Sequence, residues 1–482
     1  MKNKQTAGGE WRTEHPFQSP IANLQSQRLV SVSREAPGVS PRLFLRLGLG
    51  EPRIFWQDAQ MESGRFPLTF AGFGIAANLF AWGESRFRQI EQQAHALFAD
   101  AVMSDAGQAL SKPRLFGGFS FRDDFAPDNT WSVHQPAHFV LPHYQLVRVG
   151  QATWLTINTL VPRDEDVAAL LPALEEALEA RYVWLQQQAN VARREETAVS
   201  PDYQIRYPLS KEAWTSQIQA AKKAMAATPL NKVVLSRVAE IRLPARVNVD
   251  ASLDYLQTEY ANCFRFLFEP RPYHAFFGAT PELLARVNGT SLTTMALAGS
   301  IGRGKNRVED ELLAQELQRS SKDRHEHAIV VESIQRRLQP LTSSITIPAE
   351  PAIYRLHNIQ HLYTPIAAKL NSETGILPVV ETLHPTPALG GSPRELAMAF
   401  IRQAEPVPRG WYAAPVGWID ADMDGQFTVA IRSAVAQEKR VWLYAGAGIV
   451  ADSDPEKEWQ ETGLKFRPMM EALGLDEGNL MP

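Results

Sequence analysis

The spacing of apolar positions changes several times along this chain, and the changes divide it into elements. From Arg28 to about Leu160 the pattern is β-rich, with LFLRLGL (43–49), HFVLPHYQLVRV (138–149) and TWLTINTL (153–160) as predicted strand segments. Helical spacing interrupts it over Glu84 to Val102, where Phe87, Ile90, Ala94 and Phe98 share one side, and returns over Asp164 to Ala189. The polar stretch 190–203 reads as a connection. Beyond it, Ser210 is placed to cap a helix whose apolar face is Trp214, Ile218, Ala221 and Met225. Strands are predicted over Asn231 to Leu243, Arg265 to Glu269 and His274 to Gly278, with Asn288-Gly289 as a hairpin turn. Helices follow over Val308 to Arg319 and Lys322 to Leu338. Ser392-Pro393-Arg394-Glu395 reads as a capping box opening a helix to about Gln403. Asp424-Gly425 turns between two strands, and Asp454-Pro455 starts the last helix. Strands and helices mix without regular alternation, so the predicted class is α+β.

Composition removes several functions. The 482 residues suffice for a large buried core. The formal net charge is −4, with lysines and arginines scattered, so no basic field recruits nucleic acid. Cys263 is the one cysteine, which rules out an internal disulfide and a cysteine-built zinc site. The first 20 residues are polar and read as a loose segment without a secretory apolar stretch. The apolar-rich run Phe70 to Trp82 is too short to span a bilayer. The expectation is a cytoplasmic monomer that engages neither membrane nor nucleic acid.

Two helices carry carboxylate pairs. Asp323 and Glu326 are three apart in KDRHEH, and Glu458 and Glu461 are three apart in the last helix, with Lys465 four beyond. Alone, such pairs are most often solvated helix faces near helix N-termini. Brought together, they would offer a hard dication an all-oxygen site. His327 in the same motif is more ordinarily a core or capping histidine than a ligand.

Nine segments change the weight of these signals: KVVLSR (232–237), FGATPELLAR (277–286), LAGSIGRG (297–304), SKDRHEHAIV (321–330), QHLYTP (360–365), LHPTPALGGSP (383–393), AIRSA (430–434), YAGAGIV (444–450) and EWQETGLK (458–465). In this order and spacing the chain resembles the chorismate-binding enzymes over about Ser210 to Leu473. That family holds isochorismate synthases, salicylate synthases and the large subunits of anthranilate and aminodeoxychorismate synthases. The resemblance implies an anthranilate synthase component I-like α+β body, in which two stacked, mainly antiparallel sheets are flanked by helices around a deep cleft. Residues 21–205 would form its N-terminal part and 206–475 its chorismate-binding catalytic region.

The resemblance also implies roles. Lys232 matches a water-activating base, Glu282 a general acid and Arg432 a grip on the enolpyruvyl carboxylate of chorismate. His361 matches a histidine near the leaving hydroxyl. Glu326 and Glu461 match direct ligands of Mg2+, with Asp323 and Glu458 holding waters or orienting those ligands. Gly299, Gly446 and Gly448 would let backbone approach the substrate, Tyr444 would add a hydroxyl donor, and Lys465 would face the substrate from the last helix. A lysine serves as a base only where burial or a neighbouring cation favours its neutral form. On strand position alone, an edge lysine that discourages aggregation is the commoner case.

Three positions separate the branches of the family. Lys232 stands where anthranilate synthases generally have glutamine, which favours water over ammonia as nucleophile. Ala298 stands where aminodeoxychorismate synthases carry a reactive lysine. Ala388 stands where salicylate and anthranilate synthases place threonine, and that difference goes with stopping before pyruvate is eliminated. The expectation is a magnesium-dependent isomerase of the isochorismate synthase branch, serving menaquinone or siderophore synthesis. Salicylate synthase and a non-catalytic chorismate-binding protein are the alternatives.

Overall fold

The computed structural model describes residues 24–60, 66–105, 107–189 and 203–475. The whole N-terminal segment 1–20 and residues 190–202 of the connection therefore lie outside the described residues. Two large sheets dominate, one of thirteen strands and one of ten. Among the described residues every strand pair is antiparallel except Gln27–Glu35 with Val102–Met103.

Alternation along the strands builds two cores from one sheet. In Arg53–Gln57, Ile54 and Trp56 enter the core shared with the second sheet, while Phe55 enters a separate core on the opposite face. The inter-sheet core is rich in aromatic side chains: Phe116 of the ten-stranded sheet meets Trp56, Phe70 and Phe268 of the other at ring separations of 6.1, 6.3 and 6.1 Å. The outer core is covered by helices including Pro41–Leu47, Val249–Glu259 and Pro455–Ala472. The α+β expectation and the paired-sheet architecture are both met. Among the described residues no helix is long and apolar enough to cross a membrane.

Three local expectations need correction. LFLRLGL is not a strand; Pro41–Leu47 is a helix. The Ser40 hydroxyl accepts from the Leu43 amide and Pro41 occupies the first turn, a start signal that overrides a short, ambiguous apolar run. Ser392 does not cap the helix Arg394–Ala404, whose N-cap is Pro393 without a side-chain hydrogen bond. The backbone of Gly391–Ser392 instead forms a short strand against Lys232 and Val233, so the residue is engaged in a sheet. The hairpin near Asn288 also turns one residue later, since Asn288 pairs with Ser291 and leaves Gly289 (φ +56°) and Thr290 as the loop. The Ser210 and Asp454 caps form as expected, accepting from Ala213 and Lys457 amides.

Candidate active site

Two crossings between the sheets place two of the functional side chains. The chain leaves the thirteen-stranded sheet after His274–Thr280 and enters the other at Leu283–Asn288, with Glu282 at the crossing. It returns between Gly425–Val429 and Ser433–Gln437, with Arg432 at that crossing. Arg432 has φ +50°, a conformation non-glycine residues rarely adopt, held while its carbonyl accepts from the Ala279 amide at 3.1 Å. Both side chains line a cavity of about 230 Å³.

The opposite wall is the strand Lys232–Arg242 paired with Arg440–Ile449. Lys232 is only 1% exposed, so it is not an aggregation-blocking edge lysine. Val234 and Ser236 send their amides away from the paired strand, to Gly390 O at 2.9 Å and Glu405 Oε1 at 2.8 Å. Their register partners Gly448 and Gly446 therefore sit at non-bonded positions and turn their backbone groups to the far side. There the next strand pairs only as far as Leu443, and Gly446 O accepts from Lys465 Nζ at 2.8 Å. A Cβ on Gly448 would lie 3.0 Å from Lys232 Cε and 3.1 Å from Glu326 Oε1.

A bulge supplies the third wall. The register between Ser291–Gly302 and Ile359–Leu370 slips at Gly299 (φ +75°), which brings Ser300 opposite His361. His361 Nδ1 lies 2.8 Å from Ser300 Oγ and 3.3 Å from Gly299 O. A proton on Nδ1 satisfies both contacts, leaving Nε2 as an acceptor; Nε2 is buried without a protein partner. The fourth wall is two helix starts. Ser321–Leu338 brings Lys322, Asp323 and Glu326; Pro455–Ala472 brings Glu458, Glu461 and Lys465.

Burial and neighbouring charge sort these groups by protonation. Burial pushes the Glu282 carboxyl up to about 8, against the opposing pull of Lys232, Arg432 and Lys465. Burial and the nearby Arg432 and Lys465 push His361 down to about 3, so the ring is neutral at physiological pH. Burial and the adjacent Glu461 raise Glu458. Burial also acts to raise Glu461, but Lys465, bonded to it at 2.6 Å, holds it below the usual carboxylate range. Lys232 Nζ is bonded to Glu326 Oε1 at 2.7 Å. The cavity thus holds a protonated carboxyl and the ion-paired Lys232 side chain facing one space, with an arginine between the sheets and carboxylates at the helix starts.

A profile of the chorismate binding enzymes matches residues 16–474, nearly the whole chain. The chain belongs to the chorismate-binding enzyme family. It is 36% identical over 430 residues to the salicylate biosynthesis isochorismate synthase of Pseudomonas aeruginosa, covering 88% of this chain and 86% of that one. It is 34% identical over 460 residues to the isochorismate synthase MenF of Bacillus subtilis, covering 92% and 93%. Among solved structures it is similar to MenF, the menaquinone-specific isochorismate synthase of Escherichia coli, with a TM-score of 0.73 at 25% identity over 93% of this chain and 95% of that one.

Of the residues that family likeness singles out, the structure brings all but Tyr444 around this one cavity. Tyr444 is a correction: its hydroxyl accepts from Trp131 Nε1 at 3.0 Å and donates to Pro408 O at 3.4 Å, so it is spent inside the protein. Its ring stacks behind Tyr412 at 5.2 Å, and Tyr412 is the tyrosine that lines the cavity. Tyr412 escaped the sequence reading because it sits in an apolar loop with no period. Lys322 was overlooked beside the ligand pair of its own motif. His327 takes the structural option, buried with Nε2 2.8 Å from Thr364 Oγ1.

The carboxylates are chemically suited to magnesium. They are all-oxygen donors from two helices, yet among the described residues no three acids or histidines gather tightly enough to hold an ion unaided. Magnesium takes one or two such carboxylates, retains waters and shares a substrate oxygen.

Proposed function

We propose that this protein is an isochorismate synthase, a magnesium-dependent isomerase that converts chorismate reversibly to isochorismate. The observation that carries the reading is Lys232 and Glu282 facing one small cavity, the second a carboxyl kept protonated by burial near neutral pH. The likeness to isochorismate synthases over most of their length supports it.

The reaction moves a hydroxyl group. Lys232 takes a proton from water as the oxygen attacks C2 of the ring; the double bonds shift; the C4 hydroxyl departs as water after receiving the proton of Glu282. One proton enters at Lys232 and one leaves at Glu282, so the reverse reaction exchanges their roles. Arg432 offers its planar fork to the enolpyruvyl carboxylate. His361 Nε2 accepts from the C4 hydroxyl and orients it. The open amides of Gly446 and Gly448 border the anion. Glu326 and Glu461 would hold the magnesium, with Asp323 and Glu458 orienting its waters. When bound, the ion would offset the carboxylates' repulsion of a dianionic substrate, anchor the ring carboxylate and draw Glu326 away from Lys232. Ala388 lines the cavity as a plain methyl group, with no hydroxyl to assist pyruvate elimination. We read the protein as a cytoplasmic monomer in menaquinone or siderophore synthesis, with chorismate as its small-molecule partner.

The test is a product assay with chorismate and Mg2+. Isochorismate in equilibrium with chorismate, without pyruvate, is expected. Salicylate with stoichiometric pyruvate would mean a salicylate synthase, and binding without conversion a non-catalytic protein.

A further inference from the structure

The edge of the Lys232–Arg242 strand has an unusual finish. Its first two residues pair with Gly391–Ser392 and its last three with Gln204–Arg206, so the middle of that edge has no neighbouring strand among the described residues. A buried ion pair takes the strand's place. Glu405 ends the helix Arg394–Ala404, and Arg409 follows four residues later; their side chains are 4% and 1% exposed. Arg409 Nε donates to both Glu405 oxygens at 3.1 and 2.9 Å, and its Nη2 donates to Glu405 Oε1 at 2.6 Å. The remaining capacity of the pair goes to backbone. Glu405 Oε1 accepts from the Ser236 amide at 2.8 Å. Arg409 Nη2 donates to Val234 O at 2.8 Å, and Nη1 to Leu389 O at 2.9 Å. Its guanidinium lies 4.1 Å from the centre of the Phe121 ring.

Those acceptors are not arbitrary. Val234 lines the cavity two residues beyond Lys232, and Leu389 lines it beside Ala388. One planar fork therefore spans the strand that carries the base and the loop that runs along its edge, whose Gly390 O also accepts from the Val234 amide at 2.9 Å. A buried pair is weak evidence for stability, because desolvation offsets its attraction. Its bonds to both strand and loop point to registration between them.

We infer that Arg409, oriented by Glu405, is a positioning residue that fixes Lys232 relative to the Ala388–Leu389 wall. It touches no substrate; it acts through Val234 and Leu389. The catalytic side of this inference rests on the reaction proposed above. A lysine at 409 keeps the charge but cannot make three divergent bonds in one plane.

The experiment compares the full chain with Arg409→Lys and Glu405→Gln, by steady-state kinetics with chorismate and Mg2+ and by amide hydrogen exchange. Misplacing a reacting group by about 1 Å costs on the order of 100-fold, so Arg409→Lys should lower kcat by about 10- to 100-fold with KM within about 3-fold. The amides of Val234 and Ser236 should exchange at least about tenfold faster, while those of the distant Gln27–Glu35 strand do not change. Glu405→Gln should shift both readouts the same way by less, and it serves alone if Arg409→Lys does not fold. Faster exchange with full kcat would overturn the inference, because the walls would then be loose without consequence. Unchanged exchange would overturn it too. If the wild type binds chorismate without converting it, the proposed reaction has failed; exchange then still decides whether Arg409 ties strand to loop.

Discussion

Among single residues, Glu282 has the most distinctive chemistry. Its acid role requires a proton, and burial holds that proton up to about 8. The kcat/KM for chorismate should therefore fall as pH rises through about 8, as measured by a pH–rate profile. Glu282→Gln keeps the shape and removes the proton, and should lower kcat by about 10²- to 10⁴-fold. The same burial makes a stability prediction. A carboxyl raised from 4.5 to about 8 binds its proton more tightly in the folded chain, so its contribution to stability is fully present below 4.5 and is lost as pH rises to about 8. Glu282→Gln should thus gain in stability relative to wild type across that window, as read by urea unfolding at several pH values. A constant difference would mean the carboxyl is not buried as described. At Gly448, alanine would press on Lys232 and Glu326, so Gly448→Ala should reduce kcat by about tenfold or more through misplacement, with the fold intact by circular dichroism. Sequence reading reached these residues through their motifs. It misassigned Tyr444 because two tyrosines stack one behind the other, and only the packing decides which hydroxyl reaches the cavity.

At the scale of elements, the helix starts at Ser210 and Asp454 were legible in the sequence, and the second positions carboxylates of the site. Asp454 accepts from the Lys457 amide and Pro455 opens the helix that bears Glu458 and Glu461. Ser320 caps the helix of Asp323 and Glu326, and its hydroxyl also donates to the Asp323 carboxylate. Caps are local, so a few residues encode them. Asp454→Ala should destabilise the protein by about 1 kcal/mol in urea unfolding. Glu461→Gln, on the same helix, should raise the magnesium concentration needed for half-maximal activity sharply; an unchanged titration would place the ion elsewhere. The apolar run at 43–49 failed as a predicted strand because seven residues fit either period, and Ser40-Pro41 decided the matter. Ser392 failed as a cap for the opposite reason. Its local chemistry favours a helix start, but the backbone was claimed by Lys232, 160 positions earlier in the chain.

Strand partners are the part of the whole molecule that no local pattern states. A period of two says which face a strand buries and nothing about which strand lies beside it. Here the partners join the two halves of the chain. Arg53–Gln57 pairs with Phe264–Arg271, and Arg114–Phe119 pairs with Pro415–Asp420, so both sheets run through both halves. Among the described residues the cavity is lined by residues from Lys232 to Lys465, yet the strands behind it depend on the earlier half for an edge and for Trp56, Phe70 and Phe116 of the shared core. Residues 206–482 produced alone would expose two strand edges and one side of that aromatic core, a surface prone to association. We predict that this fragment gives no cooperative thermal transition and sediments as aggregate. Co-expression with residues 1–205 should restore a single transition and chorismate binding, because the missing strands can add in trans. A fragment that unfolds cooperatively and binds chorismate by itself would show that the catalytic half closes its own core, contrary to the pairing described.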